Sequence, residues 1–348
     1  MTMEKIKAGI IGATGYAGAE LVRLLINHPM AEIVAVSSVS YEGQKFSDIY
    51  PNFLGICDTV LENADAVIEK SDVIFASLPH GLSEPLAEQC VAKGKTLIDL
   101  GADFRMYDGE AYAKWYKREY SHPELHNLAT YSLPELYREN TKKAKIIGNP
   151  GCYPTSISLG CAPAHRGGLV ETYGVIIDSK SGVTGAGRGL SQTTHYPDNN
   201  EAFSAYKAGE HRHTPEIEQV LSDLAGEDMT VTFVPHLLPV NRGIESTIYL
   251  TLKDGVTEEQ VRAAYESFYA NEKFVRVLPK GSYANIKNVR CTNYCDISLH
   301  FDMRAKRLIV CAVIDNMVKG AAGQAIQNMN LYFGLPEDTG LTTVAPAF

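Results

Sequence analysis

The run Gly148-Asn149-Pro150-Gly151-Cys152-Tyr153-Pro154-Thr155-Ser156 sets a cysteine in a tight turn at the mouth of a helix. Pro150-Gly151 predicts the turn, Pro154 the helix start, and Ile157, Leu159, Cys161 and Ala162 the helix itself. At such a place unpaired backbone N–H groups and the positive end of the helix dipole favour a thiolate, so the chemistry on offer is nucleophilic attack. The competing reading is a cysteine that only packs. A second reactive set is His211-Arg212-His213, just ahead of Thr214-Pro215-Glu216. Thr214 is expected as the N-cap and Pro215 as the first helical residue, with Ile217, Val220, Leu221 and Leu224 as an apolar stripe. A helix dipole holds neighbouring histidines toward the neutral form that a general base requires, while surface histidines capping a helix are the alternative. His211 and His213 flank an arginine in what reads as an extended segment, so both side chains point the same way and either can serve.

The amino-terminal part has the order strand, glycine turn, helix. Lys5 to Ile11 reads as a short buried strand running into Gly12-Ala13-Thr14-Gly15-Tyr16-Ala17-Gly18, and Leu21, Leu24 and Leu25 then mark one face of a helix ending before His28-Pro29. Glycines in that context let the backbone reach a pyrophosphate while the helix N-terminus supplies donors; a plain structural turn is the alternative. Further strands are expected at 32–36, 72–78 and 96–100, with a helix from Ser83 to Lys93 closed by Gly94. The second strand ends in Ser37-Ser38 rather than in an acidic residue, so a 2′-phosphate meets no repulsion and NADP is favoured over NAD. Leu78-Pro79-His80-Gly81 forms a loop at the carboxyl end of a strand, where His80 either meets cofactor or substrate or caps the next helix.

At 348 residues the chain calls for two domains. Beyond Cys152 the pattern changes to longer β runs at 174–179, 229–234, 243–250 and 307–314, with a capping box at Thr257-Glu258-Glu259-Gln260. The fold class is therefore α/β, a doubly wound Rossmann-type parallel sheet with a second α+β domain on a largely antiparallel sheet. Ser181-Gly182 through Gly189 follows a strand and either approaches a cofactor closely or is a flexible loop. With 45% hydrophobic and 21% charged residues the chain reads as soluble and globular, and a net charge of -9 argues against a nucleic-acid partner. Lys142, Lys143 and Lys145 read as a solvated edge. No apolar run approaches the ~18 residues needed to span a bilayer, so no membrane is expected and the cytoplasm is the default. Seven cysteines spread through a long chain read as reduced thiols, and Cys291 and Cys295 lack the partners of a metal site.

A thiolate and a nicotinamide cofactor together suggest a thioester route between an acyl phosphate and an aldehyde. An arginine is then expected for the phosphate, and Arg105 in Gly101-Ala102-Asp103-Phe104-Arg105 is the candidate, unless it pairs with Asp103.

These motifs, taken with Asp315-Asn316-Met317-Val318-Lys319-Gly320, resemble those of the N-acetyl-gamma-glutamyl-phosphate reductases of arginine biosynthesis over nearly the whole chain. The resemblance implies NADPH-dependent reduction of an acyl phosphate to a semialdehyde, with Cys152 as nucleophile and His211 as acid/base residue, His213 competing. It implies cofactor contacts from Gly12, Thr14, Gly15, Tyr16, Ala17, Ser37, Ser38, Pro79, Ser181, Gly182 and Asn316, substrate contacts from Arg105, His80 and Arg212, and no metal. It places a closing helix, Ala325 to Tyr332, back in the first domain. The expected NADP-binding domain is 1–150 plus about 316–348, and the catalytic, substrate and dimerisation domain is 151–315. A small-molecule substrate and a homo-oligomer, dimer or tetramer, are implied. His236 matches nothing with a role and reads as structural. The rivals are an aspartate-semialdehyde dehydrogenase, a lysine-pathway relative acting on a carrier-linked aminoadipyl phosphate, and a non-catalytic NADP-binding redox sensor.

Overall fold

A computed structural model of the protein describes residues 4–348. The chain divides into two compact units, one of residues 1–150 with 321–342, the other of residues 151–320 with 343–348. The return to the first unit thus begins at Ala321 rather than near 316.

The first unit comprises β1 (Ile6–Ile11), α1 (Tyr16–Leu25), β2 (Ala31–Ser37), α2 (Phe46–Ile49), β3 (Leu61–Glu62), α3 (Ala64–Lys70), β4 (Val73–Ala76), α4 (Glu84–Ala92), β5 (Thr96–Asp99), α5 (Gly109–Tyr116), β6 (Ala129–Tyr131), α6 (Pro134–Thr141) and β7 (Ile146–Gly148). The second comprises α7 (Cys152–Arg166), β8 (Val175–Gly182), α8 (Tyr196–Asn199), β9 (Ser204–Ala205), α9 (Thr214–Ala225), β10 (Val231–Leu238), β11 (Ile244–Thr251), α10 (Glu258–Phe268), β12 (Val275–Val277), β13 (Cys295–Asp302) and β14 (Arg307–Ile314). A single π-helical turn, Val318–Ala322, precedes α11 (Gly323–Tyr332).

All strands of the first sheet run parallel in the order β3-β2-β1-β4-β5-β7-β6. Its central strands read as continuous apolar runs, Val73-Ile74-Phe75-Ala76 and Thr96-Leu97-Ile98-Asp99, because helices cover both faces and every one of these residues is buried. The order reverses between β1 and β4, and the carboxyl ends at such a reversal open a crevice for ligands. The expected doubly wound sheet is therefore present.

The second sheet is mixed, in the order β12-β13-β14-β11-β8-β10-β9. Four of its six pairings are antiparallel, and β8 with β10 and β12 with β13 are parallel. The parallel β8/β10 pair arises because the crossover through α9 returns the chain in the same direction. Helix α7 packs against β11 and β14 and against α9 and α10. Tyr265 of α10 donates to the Gly160 carbonyl at 2.6 Å, tying α10 to the middle of α7.

Strand β13 was not anticipated, and neither were the short β3 and β6. Thr214 is the first residue of α9 rather than its N-cap; the cap is His213, in helical conformation and with no capping bond from its side chain. Helix α11 is buried throughout its first nine residues although it reads Gly-Gln-Ala-Ile-Gln-Asn-Met-Asn-Leu. Three of its amides are bonded within the first unit: Gln327 to Glu135 at 3.1 Å, Asn328 to the Ser132 carbonyl at 3.1 Å, and Asn330 to the Thr339 carbonyl at 2.9 Å.

Gly148 shows how tightly the strand ends and loops of the first unit are fitted. A Cβ built there would lie 2.8 Å from the Phe104 carbonyl carbon and closer still to its oxygen. Gly148→Ala is expected to destabilise the protein by about 1–3 kcal/mol, read as a lower urea midpoint at unchanged slope.

Candidate active site

In the second unit Cys152 is half-buried and opens the 15-residue helix α7, with Gly151 as N-cap. Glycine offers no side chain to cap α7. The N–H of Gly151 is instead bonded by Glu216, whose Oε1 accepts it at 2.7 Å and whose side chain is fully buried. Glu216 lies in the first turn of α9, so one bond ties the starts of two helices together. Behind Cys152, Gly320 packs so closely that a Cβ there would lie 2.9 Å from that of Cys152.

His211 and His213 are both buried, and their ring centroids are 4.8 Å apart. They do not sit in an extended segment. The chain turns at residues 212–213, and the His213 N–H donates to His211 Nδ1 at 3.1 Å. Because that nitrogen is an acceptor, the proton of the neutral ring is assigned to Nε2. Arg212, between them, stays exposed. The His211 ring stands edge-on to Tyr153 at 5.5 Å, Phe233 at 5.4 Å and Tyr206 at 5.6 Å. Burial in this aromatic box pushes the imidazole pKa down to about 3, with the charges of Arg212 and Lys207 adding to the effect. The neutral form is therefore held by desolvation first, not by the helix dipole invoked from the sequence.

Tyr153 and Tyr206 are the neighbours that Cys152 and His211 share. Their hydroxyl groups lie 3.0 Å apart, and the Cys152 thiol acts electrostatically on both phenols. Burial pushes Tyr206 up to about 12 and Tyr153 well above its ordinary value, so both remain neutral O–H donors. Ser181 hydrogen-bonds Tyr153 and so belongs to the same group. Beyond it, Gly182 is held against the 241–242 backbone, where a Cβ would lie 2.7 Å from the Asn241 carbonyl oxygen. Asn316 fixes this loop, accepting from the Gly243 N–H at 2.8 Å and donating to Thr184 at 3.0 Å. The structure thus gathers Cys152, His211, His213, Ser181, Gly182 and Asn316 in one unit. The His236 side chain on β10 is 3.1 Å from Asp178 and stacked on Phe203, while its backbone carbonyl accepts from the Tyr153 hydroxyl at 3.5 Å.

The remaining candidates belong to the first unit. Gly12 has φ +84, and a Cβ there would strike the Ser77 carbonyl oxygen. Gly12 and Ala13 donate their N–H groups to the Ser37 carbonyl at 3.1 and 2.9 Å, and Gly15 is the N-cap of α1, which begins Tyr16-Ala17. Thr14 and Ser38 share a hydrogen bond of 2.7 Å. This backbone cradle at a helix N-terminus, with uncharged serines ending β2, fits the diphosphate and 2′-phosphate of NADP. Pro79 and His80 follow β4, and His80 stands edge-on to Tyr116 at 5.4 Å rather than capping α4. Arg105 is buried, its Nε donating to the Asn149 carbonyl at 2.7 Å and its Nη2 to the Leu100 carbonyl at 2.8 Å. Asp103 instead accepts from the Gly81 and Ser83 N–H groups and from Tyr112.

Glu216, Tyr153 and Tyr206 were not singled out from sequence. Glu216 stood in a quoted motif, Tyr153 adjoins the cysteine, and Tyr206 carried no signal.

Residues 7–144 match the family described as semialdehyde dehydrogenase, NAD binding domain, and residues 152–316 the semialdehyde dehydrogenase, dimerisation domain. Among curated proteins, the chain is 56% identical to the N-acetyl-gamma-glutamyl-phosphate reductase of Clostridium botulinum (strain Eklund 17B / Type B), over 99% of this chain and 100% of that one. It is 54% identical to the protein of the same name from Brachyspira hyodysenteriae, again over 99% and 100%. Among solved structures it is similar to aspartate semialdehyde dehydrogenase II of Vibrio cholerae complexed with ASA, with TM-score 0.74 and 15% identity over 95% of this chain and 99% of that one. The aspartate semialdehyde dehydrogenase with NADP from Candida albicans matches with TM-score 0.68 and 16% identity over 94% and 98%. At such identities the solved structures establish the fold alone.

The buried His211 has a consequence for stability. The unfolded ring takes a proton below its ordinary value of 6.5, whereas the folded ring resists protonation down to about 3. Its contribution is complete above pH 6.5 and is lost as the pH falls toward about 3. Between about pH 7.5 and pH 5 the wild type is expected to lose about 1.5–2 kcal/mol more than His211→Asn, measured by urea unfolding at both pH values.

Proposed function

The chain belongs to the N-acetyl-gamma-glutamyl-phosphate reductase family, and from that premise we propose that it reduces N-acetyl-gamma-glutamyl phosphate to N-acetylglutamate 5-semialdehyde and phosphate with NADPH. The observation that carries the reading is the half-buried cysteine at the first position of α7, sharing its neighbours with a neutral imidazole.

Cys152 attacks the acyl carbon; a C–S bond forms, the C–O bond to phosphate breaks, and a thioester remains. When bound, NADPH supplies the hydride that reduces this thioester. The resulting oxyanion then re-forms its C=O bond as the C–S bond breaks, releasing aldehyde and thiolate. In both addition steps negative charge gathers on one oxygen. His211, with its proton on Nε2, acts there as an electrophilic hydrogen-bond donor, and N–H groups at the start of α7 are placed to share the task. His213 supports it, since its N–H holds the His211 tautomer.

Arg105 is assigned to the phosphate, and His80 and Arg212 to the remainder of the anionic substrate. The cofactor contacts proposed in the first unit are Gly12, Thr14, Gly15, Tyr16, Ala17, Ser37, Ser38 and Pro79, and those proposed in the second are Ser181, Gly182 and Asn316. The match to a dimerisation domain supports a homo-oligomer, and seven unpaired cysteines suit the reducing cytoplasm. No described helix is long and apolar enough to cross a membrane.

The test is phosphate-dependent reduction of NADP by N-acetylglutamate 5-semialdehyde. Cys152→Ala is expected to abolish it while leaving NADPH binding intact, and substantial residual turnover would exclude the thioester route. His211→Asn should slow turnover by about 10²- to 10⁴-fold, and His213→Asn by less. A larger loss in the His213 variant would move the role to that residue.

A further inference from the structure

One cation of the catalytic unit, Arg242, has no part in the proposed reaction. It stands just ahead of β11, and its side chain is 22% exposed. Its Nη1 lies 3.5 and 3.4 Å from the two carboxyl oxygens of Asp315, which follows β14 and is fully buried.

The Asp315 carboxylate does not depend on the arginine for its hydrogen bonds. Its Oδ1 accepts from the N–H groups of Met317 at 2.8 Å and Val318 at 3.2 Å, and its Oδ2 from the Cys291 N–H at 2.6 Å. Backbone donors therefore satisfy the buried acid. The closest approach of Arg242 to it is 3.4 Å, where a tight charge-assisted pair would stand at about 2.7–2.9 Å. The carboxylate thus orients the guanidinium by its charge while leaving the arginine side chain partly open to solvent.

Both residues lie at the end of the second sheet where the thiol stands. The Ser156 hydroxyl meets that of Ser246 at 2.7 Å, and a Cβ on Gly160 would lie 2.8 Å from Ile248 Cδ1. Helix α7, traced back toward Cys152, therefore follows β11 back toward its start, and Arg242 comes just before that start. Ile244 pairs with Ile314, so Gly243 and Asp315 lie side by side beyond the last pair of the β11/β14 ladder. Gly320 closes the link: a Cβ there would lie 3.3 Å from Ile314 Cδ1 and 2.9 Å from the Cβ of Cys152. The segment carrying the arginine is held from two sides, by Gly182 against the Arg242 backbone and by Asn316 on the Gly243 N–H.

We infer that Arg242, oriented by Asp315, is a specificity-determining residue that receives the α-carboxylate of the acyl substrate. N-acetyl-gamma-glutamyl phosphate is anionic at both ends of a short carbon chain. With its acyl carbon at Cys152, the other end needs a cation at the same end of the sheet. A planar guanidinium can meet a carboxylate with two parallel hydrogen bonds, which fixes the direction of the acyl carbon as well as its place. This inference rests on the proposed reduction, and it gives the α-carboxylate to Arg242 rather than to Arg212.

The experiment compares N-acetylglutamate 5-semialdehyde with 4-acetamidobutanal, the same aldehyde with hydrogen in place of the α-carboxylate, in phosphate-dependent reduction of NADP. Wild type is expected to favour the carboxylated aldehyde in kcat/KM by about 10²-fold. Arg242→Gln should fall by about that factor on the carboxylated aldehyde and keep its rate on 4-acetamidobutanal. Arg242→Lys keeps a charge without the planar fork, so its preference should lie between the two; it carries the test if the glutamine variant does not fold. Where 4-acetamidobutanal turns over too slowly to follow, its Ki against the carboxylated aldehyde gives the same comparison. A structural role would lower both aldehydes alike, and that result overturns the proposal. So does a wild type indifferent to the carboxylate, or a preference that survives Arg242→Gln and vanishes in Arg212→Gln. Wild type that reduces NADP with neither aldehyde rejects the reductase reading itself.

Discussion

The catalytic half of this protein is organised by the bond between the Glu216 carboxylate and the Gly151 N–H. Helix α7 begins at a glycine that cannot cap it, and the acceptor comes from the first turn of α9, 65 residues further along the chain. The bond is short and fully buried, and charged acceptors make such bonds strong. It brings the helix that carries the thiol and the helix that begins after the histidines to a common starting point. The aromatic box around His211 is built at that point: Tyr153 comes from α7, Phe233 from β10 and Tyr206 from the segment leading into α9. Without a fixed separation of the two helix starts, those rings would not enclose one imidazole.

The same economy governs both sets of candidate residues. Several buried polar groups meet partners from segments distant in sequence. Ser83 joins the carboxyl groups of Asp99 and Asp103 across two loops, and Asn316 joins the glycine-rich segment to the start of β11. Reactive side chains stand at the edges of these networks, held by neighbours that have no chemistry of their own.

What could be read from the sequence was what local chemistry determines. The Cys152 turn, the glycines after β1, the serines ending β2 and the apolar strands of the parallel sheet all announce themselves within about ten residues. The partners that make the site work do not. Glu216 and Tyr206 acquire meaning only when the fold brings them to α7, and Asp99 looked like one more residue of the strand expected at 96–100. The histidine motif was misjudged in its backbone: the His213 N–H bonds the His211 ring, so the chain turns where an extended segment was expected, and Thr214 is no longer the cap. Helix α11 is rich in amides yet buried, and the partners of Gln327 and Asn328, Glu135 and Ser132, lie almost two hundred residues away in sequence, beyond the reach of any local pattern.

The discontinuity of the first unit bears on the order in which the protein can mature on the ribosome. Its parallel sheet is fully translated by residue 148, yet α11, which packs on α1, α6 and β5, is made last. Until then the buried faces that α11 covers, including the amide and carbonyl groups of Ser132 and Asn149 that Asn328 bonds, have no covering element. The strands and helices of the catalytic unit, which end at Ile314, are all translated while its amino-terminal companion is still waiting for its closing helix. Vectorial synthesis therefore supplies the strands and helices of the later-encoded unit first, and the earlier unit depends on a helix translated after them.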